Sequence, residues 1–182
     1  MLYQSILLST AFAIPFEIVR GNTVIKDEHP KAPFTENKEL WGAALKRMGA
    51  STREAHFGMA AGMQETGHFL LSELDKTKTG DSENFGILNQ NRAQIRKNIP
   101  GLDPQSLEGL SPEALDNSAK VFLVGLRRQG EAGWVREHSG GSSGTPLDAK
   151  MIDSIGSAAT LLDKHPENMF GGIRYASDIR NH

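Results

Sequence analysis

Three stretches of this chain line up apolar residues at helical spacing, and each is bracketed by helix start or stop signals. Thr35 can cap a helix over 36–48 that carries Leu40, Trp41, Ala44, Leu45 and Met48 on one side and ends at Gly49. Ser51-Thr52-Arg53-Glu54 is a capping box, in which Ser51 and Glu54 exchange bonds with free backbone N–H groups. It predicts a helix over 52–66 that stops at Gly67, with Ala55, Met59 and Met63 in line and small residues Gly58, Ala61 and Gly62 on another face. Ser111-Pro112-Glu113 opens a helix to about residue 128, burying Leu115, Ala119, Phe122, Leu123 and Leu126, and Gly130 closes it. A last helix covers 147–164, and a short one 92–98 precedes Pro100. These segments imply an α+β chain that is mainly helical, with a small central β element and a possible short strand over 173–179.

The remaining segments carry less periodicity. Residues 21–34, with Pro30 and Pro33, read as an irregular entry. Ser139 to Gly144 has the composition of a linker, but the roughly 38 residues after it are too few for a second core, so it reads as a loop. With 182 residues the expectation is one domain over 14–182, preceded by a secretory signal over 1–13. The uncharged, apolar run from Ile6 to Ala13 ends in Ala-Phe-Ala, as the end of such a signal does, although no basic residue precedes it. That predicts a secreted, extracellular protein. No other stretch is long and apolar enough for a bilayer, which needs about 20 residues.

Charge and cysteine content narrow the chemistry. The 20 basic and 22 acidic residues give a net charge of −2, and no basic cluster interleaves with aromatics, so neither nucleic acid nor membrane is an expected partner. The absence of cysteine excludes disulfides, thiolate metal sites and cysteine nucleophiles. The six histidines show no metal-ligand spacing, His56 and His68 beside the second helix included. Neither a Gly-x-Ser-x-Gly elbow nor a Gly-x-Gly-x-x-Gly turn is present. No cofactor and no metal are implied.

Glu65 is the informative carboxylate. It lies in the last turn of its helix, where unpaired carbonyls concentrate partial negative charge and disfavour an anion. Ala61 and Gly62, one turn back, leave room beside it. A carboxylic acid kept protonated is what glycosidic bond cleavage requires. Asp75, Asp81 and Glu83 offer a second carboxylate in a polar stretch where Lys76, Thr77, Lys78, Thr79 and Ser82 can solvate an anion. The same stretch fails as a calcium loop: with Asp75 first and Gly80 sixth, Gly86 stands where the twelfth-position Glu belongs.

Asn84-Phe85-Gly86-Ile87-Leu88-Asn89-Gln90-Asn91, following a helix-ending Glu, resembles the active-site ribbon of lysozyme-like glycosidases. The stretch Glu65-Thr66, then Lys78-Thr79-Gly80-Asp81-Ser82 and Asn84-Phe85-Gly86-Ile87, is similar to glycoside hydrolase family 134, the lysozyme-like β-1,4-mannanases. Trp134 and His138 before a Gly-rich turn, and Ile173-Arg174-Tyr175 to Asp178, extend the likeness from about Trp41 to the C-terminus. The resemblance implies a lysozyme-like fold, helices around a small β ribbon, and an endo-acting, inverting, monomeric enzyme whose partner is β-mannan. It implies Glu65 as general acid and Asp75 as general base. The run from Asp75 to Gly80 is one residue longer than the family pattern, which keeps Asp81 as the alternative base. Asn84, Phe85, Gln90 and Asn91 become candidate substrate contacts, neutral amides being able both to donate and to accept. Trp134 is a candidate for stacking on a sugar or for the core, and His138 for bonding a hydroxyl or orienting the loop. The competing readings are a muramidase or chitinase, a lytic transglycosylase using Glu65 alone, and a non-catalytic carbohydrate-binding protein.

Overall fold

The computed structural model describes residues 18–19, 22–27, 33–66, 69, 77–139 and 146–177. In chain order the elements are β1 (Ile18–Val19), β2 (Asn22–Asp27), α1 (Phe34–Arg47), α2 (Thr52–Glu65), β3 (Asn84–Phe85), β4 (Gln90–Asn91), α3 (Arg92–Asn98), α4 (Pro112–His138), α5 (Pro146–Lys164) and β5 (Arg174–Ser177). The fold is α+β and mainly helical, with the two-stranded ribbon β3–β4 in its middle. The proposed signal over 1–13, and most of the Ser139 to Gly144 segment, lie outside the described residues.

Local signals place α2. Ser51 Oγ accepts from the Glu54 backbone N–H and the Glu54 carboxylate accepts from the Ser51 N–H at 2.7 Å, so both halves of the capping box form. Arg127 of α4 clamps the same carboxylate, at 2.6 and 3.0 Å, and pulls its pKa down to about 2. A carboxyl depressed in the folded state contributes stability that is present above the unfolded value of 4.5 and lost as pH falls toward the folded value. The difference in unfolding free energy between the native protein and Glu54→Gln is therefore expected to stay constant above about pH 5 and to shrink below it, as denaturant titrations at a series of pH values would read. Ser51→Ala, which removes only the cap, is expected to cost about 1 kcal/mol.

α2 is buried for most of its length because it is gripped from several sides. It packs on α5, α1, α4 and β5. One apolar cluster takes Trp41 and Leu45 from α1, Phe57, Met59 and Met63 from α2, Phe122 and Trp134 from α4, and Ile155 and Leu162 from α5. A second, smaller cluster of Phe85, Ile95, Leu107 and Val121 fastens the ribbon and α3 to α4. The ribbon's four-residue turn is itself apolar, with Ile87 and Leu88 buried in the main cluster. Gly86 (φ 67°) and Asn89 (φ 54°) supply the left-handed backbone that lets the turn dive inward.

Three sequence expectations change. α1 begins at Phe34 and Thr35 lies inside it; Pro33 takes the cap position with no side-chain bond. The entry segment is not wholly irregular, because β2 pairs antiparallel with β5, Lys26 opposite Tyr175 and Asp27 opposite Arg174. Two chain segments far apart in sequence supply each other's backbone partners, so neither needs a strong local pattern. Gly130 (φ 70°, ψ 173°) breaks α4 without ending it, and the chain resumes as helix through His138. Lys38 is buried against this terminal region: its Nζ donates to the carbonyls of Asn168 (2.7 Å) and Ile173 (2.6 Å), and burial lowers its pKa to about 8.

Candidate active site

Glu65 is the last residue of α2. The backbone N–H and the hydroxyl of Thr66 both donate to the Gly62 carbonyl, at 3.3 and 3.2 Å, which closes the helix just past it. Glu65 is only 4 % exposed, and its Oε2 lies 3.3 Å from Nε2 of His138. His138, 7 % exposed, is the last residue of α4. Two helix ends thus meet at one carboxylate–imidazole contact. Behind it, the His138 ring stacks on Trp134, one turn earlier in the same helix, with centroids 4.5 Å apart and planes 8° from parallel. Trp134 in turn meets Phe122 and Phe57 edge-on, at 5.2 and 6.0 Å. The other ring nitrogen, His138 Nδ1, lies 3.4 Å from Oε1 of Gln94 on α3.

The small-residue face of α2 serves packing. A Cβ on Gly62 would lie 2.2 Å from the Phe69 ring, and one on Gly58 would lie 2.9 Å from Phe122. The room expected beside Glu65 at Gly62 is therefore filled by Phe69, whose left-handed backbone (φ 57°) turns it back onto the helix and whose carbonyl accepts from the Asn37 amide at 2.9 Å. Trp134 is fully buried, so its ring belongs to the core and presents no face to a sugar. His138, a candidate for bonding a hydroxyl or orienting the loop, lies at a helix end against Glu65.

The ribbon residues are likewise turned inward. Phe85 belongs to the smaller apolar cluster, with the Arg92 guanidinium 4.9 Å from its ring centroid, so it is no surface platform. Oriented with its nitrogen inward, the Asn84 amide donates to the carbonyls of Ser82 and Asn89 at 3.3 Å and ties the turn together. Gln90 is fully buried and donates to the Ser118 carbonyl at 3.4 Å. Asn91 caps α3, accepting from the Gln94 N–H at 2.8 Å. As described, these four side chains build the ribbon and its joint with α3 and α4.

Of the second carboxylates, Asp75 lies outside the described residues. Asp81 sits in the single-turn 3₁₀ segment Gly80–Ser82, its side chain 69 % exposed and paired to Arg96 at 2.8 Å. Glu83 pairs with Arg92, whose backbone N–H also bonds the Glu83 carbonyl at 2.9 Å.

No protein-family model matches the chain, and no curated protein matches it.

Sequence reading missed Gln94 and Asn98. They stand four residues apart, one turn of α3, and so share a face of that helix; Gln90 of β4 is buried beside them against α4. All three are buried against α4, where Asn98 donates to the Val121 carbonyl at 3.2 Å and Gly125 admits its amide closely. The four-residue spacing of Gln94 and Asn98 was the available signal. His56 belongs elsewhere: its Nδ1 lies 2.6 Å from Asp163, which also pairs with Arg53 at 2.5 Å. Near them a shallow cavity of about 320 Å³, lined by Arg53, Glu131, Asp153, Ser157 and Thr160, contains none of the predicted site residues. Its one guanidinium is already engaged by Glu131 and Asp163. Among the described residues no group of three or more His, Asp or Glu side chains is placed to hold a metal ion, and no helix is long and apolar enough to cross a membrane.

Proposed function

We propose that the chain is a secreted glycoside hydrolase that cleaves β-1,4-mannan internally and with inversion, with Glu65 as general acid. The observation that carries this reading is the Glu65–His138 contact at the junction of two helix ends. A carboxyl group shielded from water at a helix C-terminus is disfavoured as an anion, which suits a proton donor to a leaving group, and the imidazole beside it fixes its orientation. The adjoining ribbon, resembling that of lysozyme-like β-1,4-mannanases, supports a glycan as the substrate class. Mannan itself rests on that resemblance.

In the proposed reaction Glu65 gives its proton to the glycosidic oxygen as the bond to the anomeric carbon breaks, the bonding pair passing to that oxygen. A water on the opposite face adds to the carbon and loses a proton to a second carboxylate. Asp75 is the better candidate for that base, since Asp81 faces solvent and is engaged by Arg96. Inversion requires the two carboxyls roughly 6.5–9.5 Å apart.

The test is release of reducing ends from linear mannan, galactomannan, chitin oligomers and peptidoglycan by the purified protein, with the anomer of the first product read by NMR. Mannan cleavage with an inverted anomer supports the full reading. Cleavage of chitin or peptidoglycan moves the protein to a chitinase or muramidase and keeps Glu65 as the acid. Binding of mannan without cleavage of any glycan would leave a carbohydrate-binding protein in its place.

A further inference from the structure

Glu65, His138 and Gln94 form a chain of three buried polar groups from three helices, α2, α4 and α3. An imidazole with one proton can carry it on either ring nitrogen, and the partner of one nitrogen decides the role of the other. Gln94 turns its carbonyl oxygen toward His138 Nδ1, at 3.4 Å. An amide oxygen only accepts, so this contact is a hydrogen bond only if Nδ1 carries a hydrogen. In the neutral ring Nε2 is then a bare lone pair, and it faces Glu65 Oε2.

We propose that Gln94 is a positioning residue that holds His138 in its Nδ1–H form, so that the Nε2 lone pair accepts a hydrogen bond from the Glu65 carboxyl, whose proton stays on oxygen. The assignment of a catalytic role to that acid rests on the glycosidase reading above; the assignment of the tautomer does not.

Burial acts in the same direction. If His138 instead carried its proton on Nε2 and donated it to an ionised Glu65, the pair would hold a net negative charge between two helix C-termini. Helix C-termini present carbonyl oxygens and repel an anion. With Nδ1–H in place and one more proton shared between Oε2 and Nε2, the pair is neutral. The ring cannot readily turn to exchange its nitrogens, because it lies flat on Trp134, which Phe57 and Phe122 hold edge-on. Gln94 is fixed as well: its backbone N–H is bonded by the Asn91 cap, and its side chain is buried against α4. When the acid delivers its proton, only the O–H bond of Glu65 breaks. His138 keeps its Nδ1 hydrogen throughout, and the proton is restored from solvent after the product leaves.

Long-range ¹H–¹⁵N NMR of the imidazole, with the His138 signals assigned by a His138→Gln variant, reads the tautomer of the intact protein directly. The expected spectrum has a protonated Nδ1 in the native protein, and a shift toward protonated Nε2 in Gln94→Met, which keeps the volume and removes the acceptor. Gln94→Glu, which keeps an acceptor at the same place, is expected to retain Nδ1–H. On an active substrate, Gln94→Met is expected to lose about 10–100-fold in kcat with KM changed less than about twofold, the size seen when a partner that orients a histidine is removed. A native spectrum with hydrogen on Nε2, alone or together with Nδ1, overturns the proposal without any variant, and so does an unchanged tautomer in a folded Gln94→Met. A protein with the expected spectrum that cleaves no glycan retires the glycosidase reading and leaves the tautomer assignment standing. The reverse tautomer in an active enzyme does the opposite.

Discussion

Glu65→Gln is expected to lower the rate of glycan cleavage by about 10²–10⁴-fold, the usual contribution of a positioned general acid. The substitution keeps size and shape, and an amide can still donate to His138 Nε2 from 3.3 Å away, so the fold should be retained. What an amide lacks is a proton that can leave. The loss should therefore fall on kcat, with substrate affinity nearly unchanged. The measurement is initial rates over a range of substrate concentrations for the native protein and the variant, with melting temperatures taken in parallel. Full activity in a folded Glu65→Gln would remove Glu65 from the mechanism. Substrates with an activated leaving group sharpen the test, since they need little protonation and should be cleaved by the variant far better than the polysaccharide is.

Trp134→Ala is expected to cost about 3–5 kcal/mol of stability, the range for truncating a buried large aromatic. For a chain of this size that lowers the melting temperature on the order of 10 °C. The reason is its position: the ring is fully buried, meets Phe57 and Phe122 edge-on, and carries the His138 ring on its face. Removing it opens a cavity in the main apolar cluster and takes away the surface that orients His138 toward Glu65. Trp134→Phe should cost less, because a ring remains in the slot. Thermal and denaturant unfolding of both variants checks this. A tryptophan that only stacks on a sugar would behave in the opposite way, weakening binding and leaving the melting temperature in place.

The same residue shows where sequence reading runs out. Gly130 is a stop signal by every local rule, and its backbone is indeed non-helical. Yet α4 resumes beyond it because Trp134 and Val135 have a core to enter. Local chemistry registered the break; packing supplied the reason to continue. Gly62 is a similar case. A small residue beside a carboxylate looks like space for a ligand, and only the fold reveals that Phe69, seven residues later, turns back to fill it. β2 carries too little periodicity to be read locally, since along most of its length it pairs with β5, some 150 residues away, and with β1 only at Asn22 and Thr23.

What the sequence by itself determined are the features that depend on neighbours within a turn or two. The capping box of α2, the proline start of α4, the extent of α3 and α5, and the placement of Glu65 in the last turn of its helix all follow from contacts spanning a few residues. Tertiary structure alone decided which side chains meet that carboxylate. His138 reaches Glu65 across 73 positions of chain, and Gln94 reaches His138 across 44. Such contacts leave no periodic trace in the sequence, because they arise from the angles at which α2, α3 and α4 pack, and those angles are set by the whole apolar core at once.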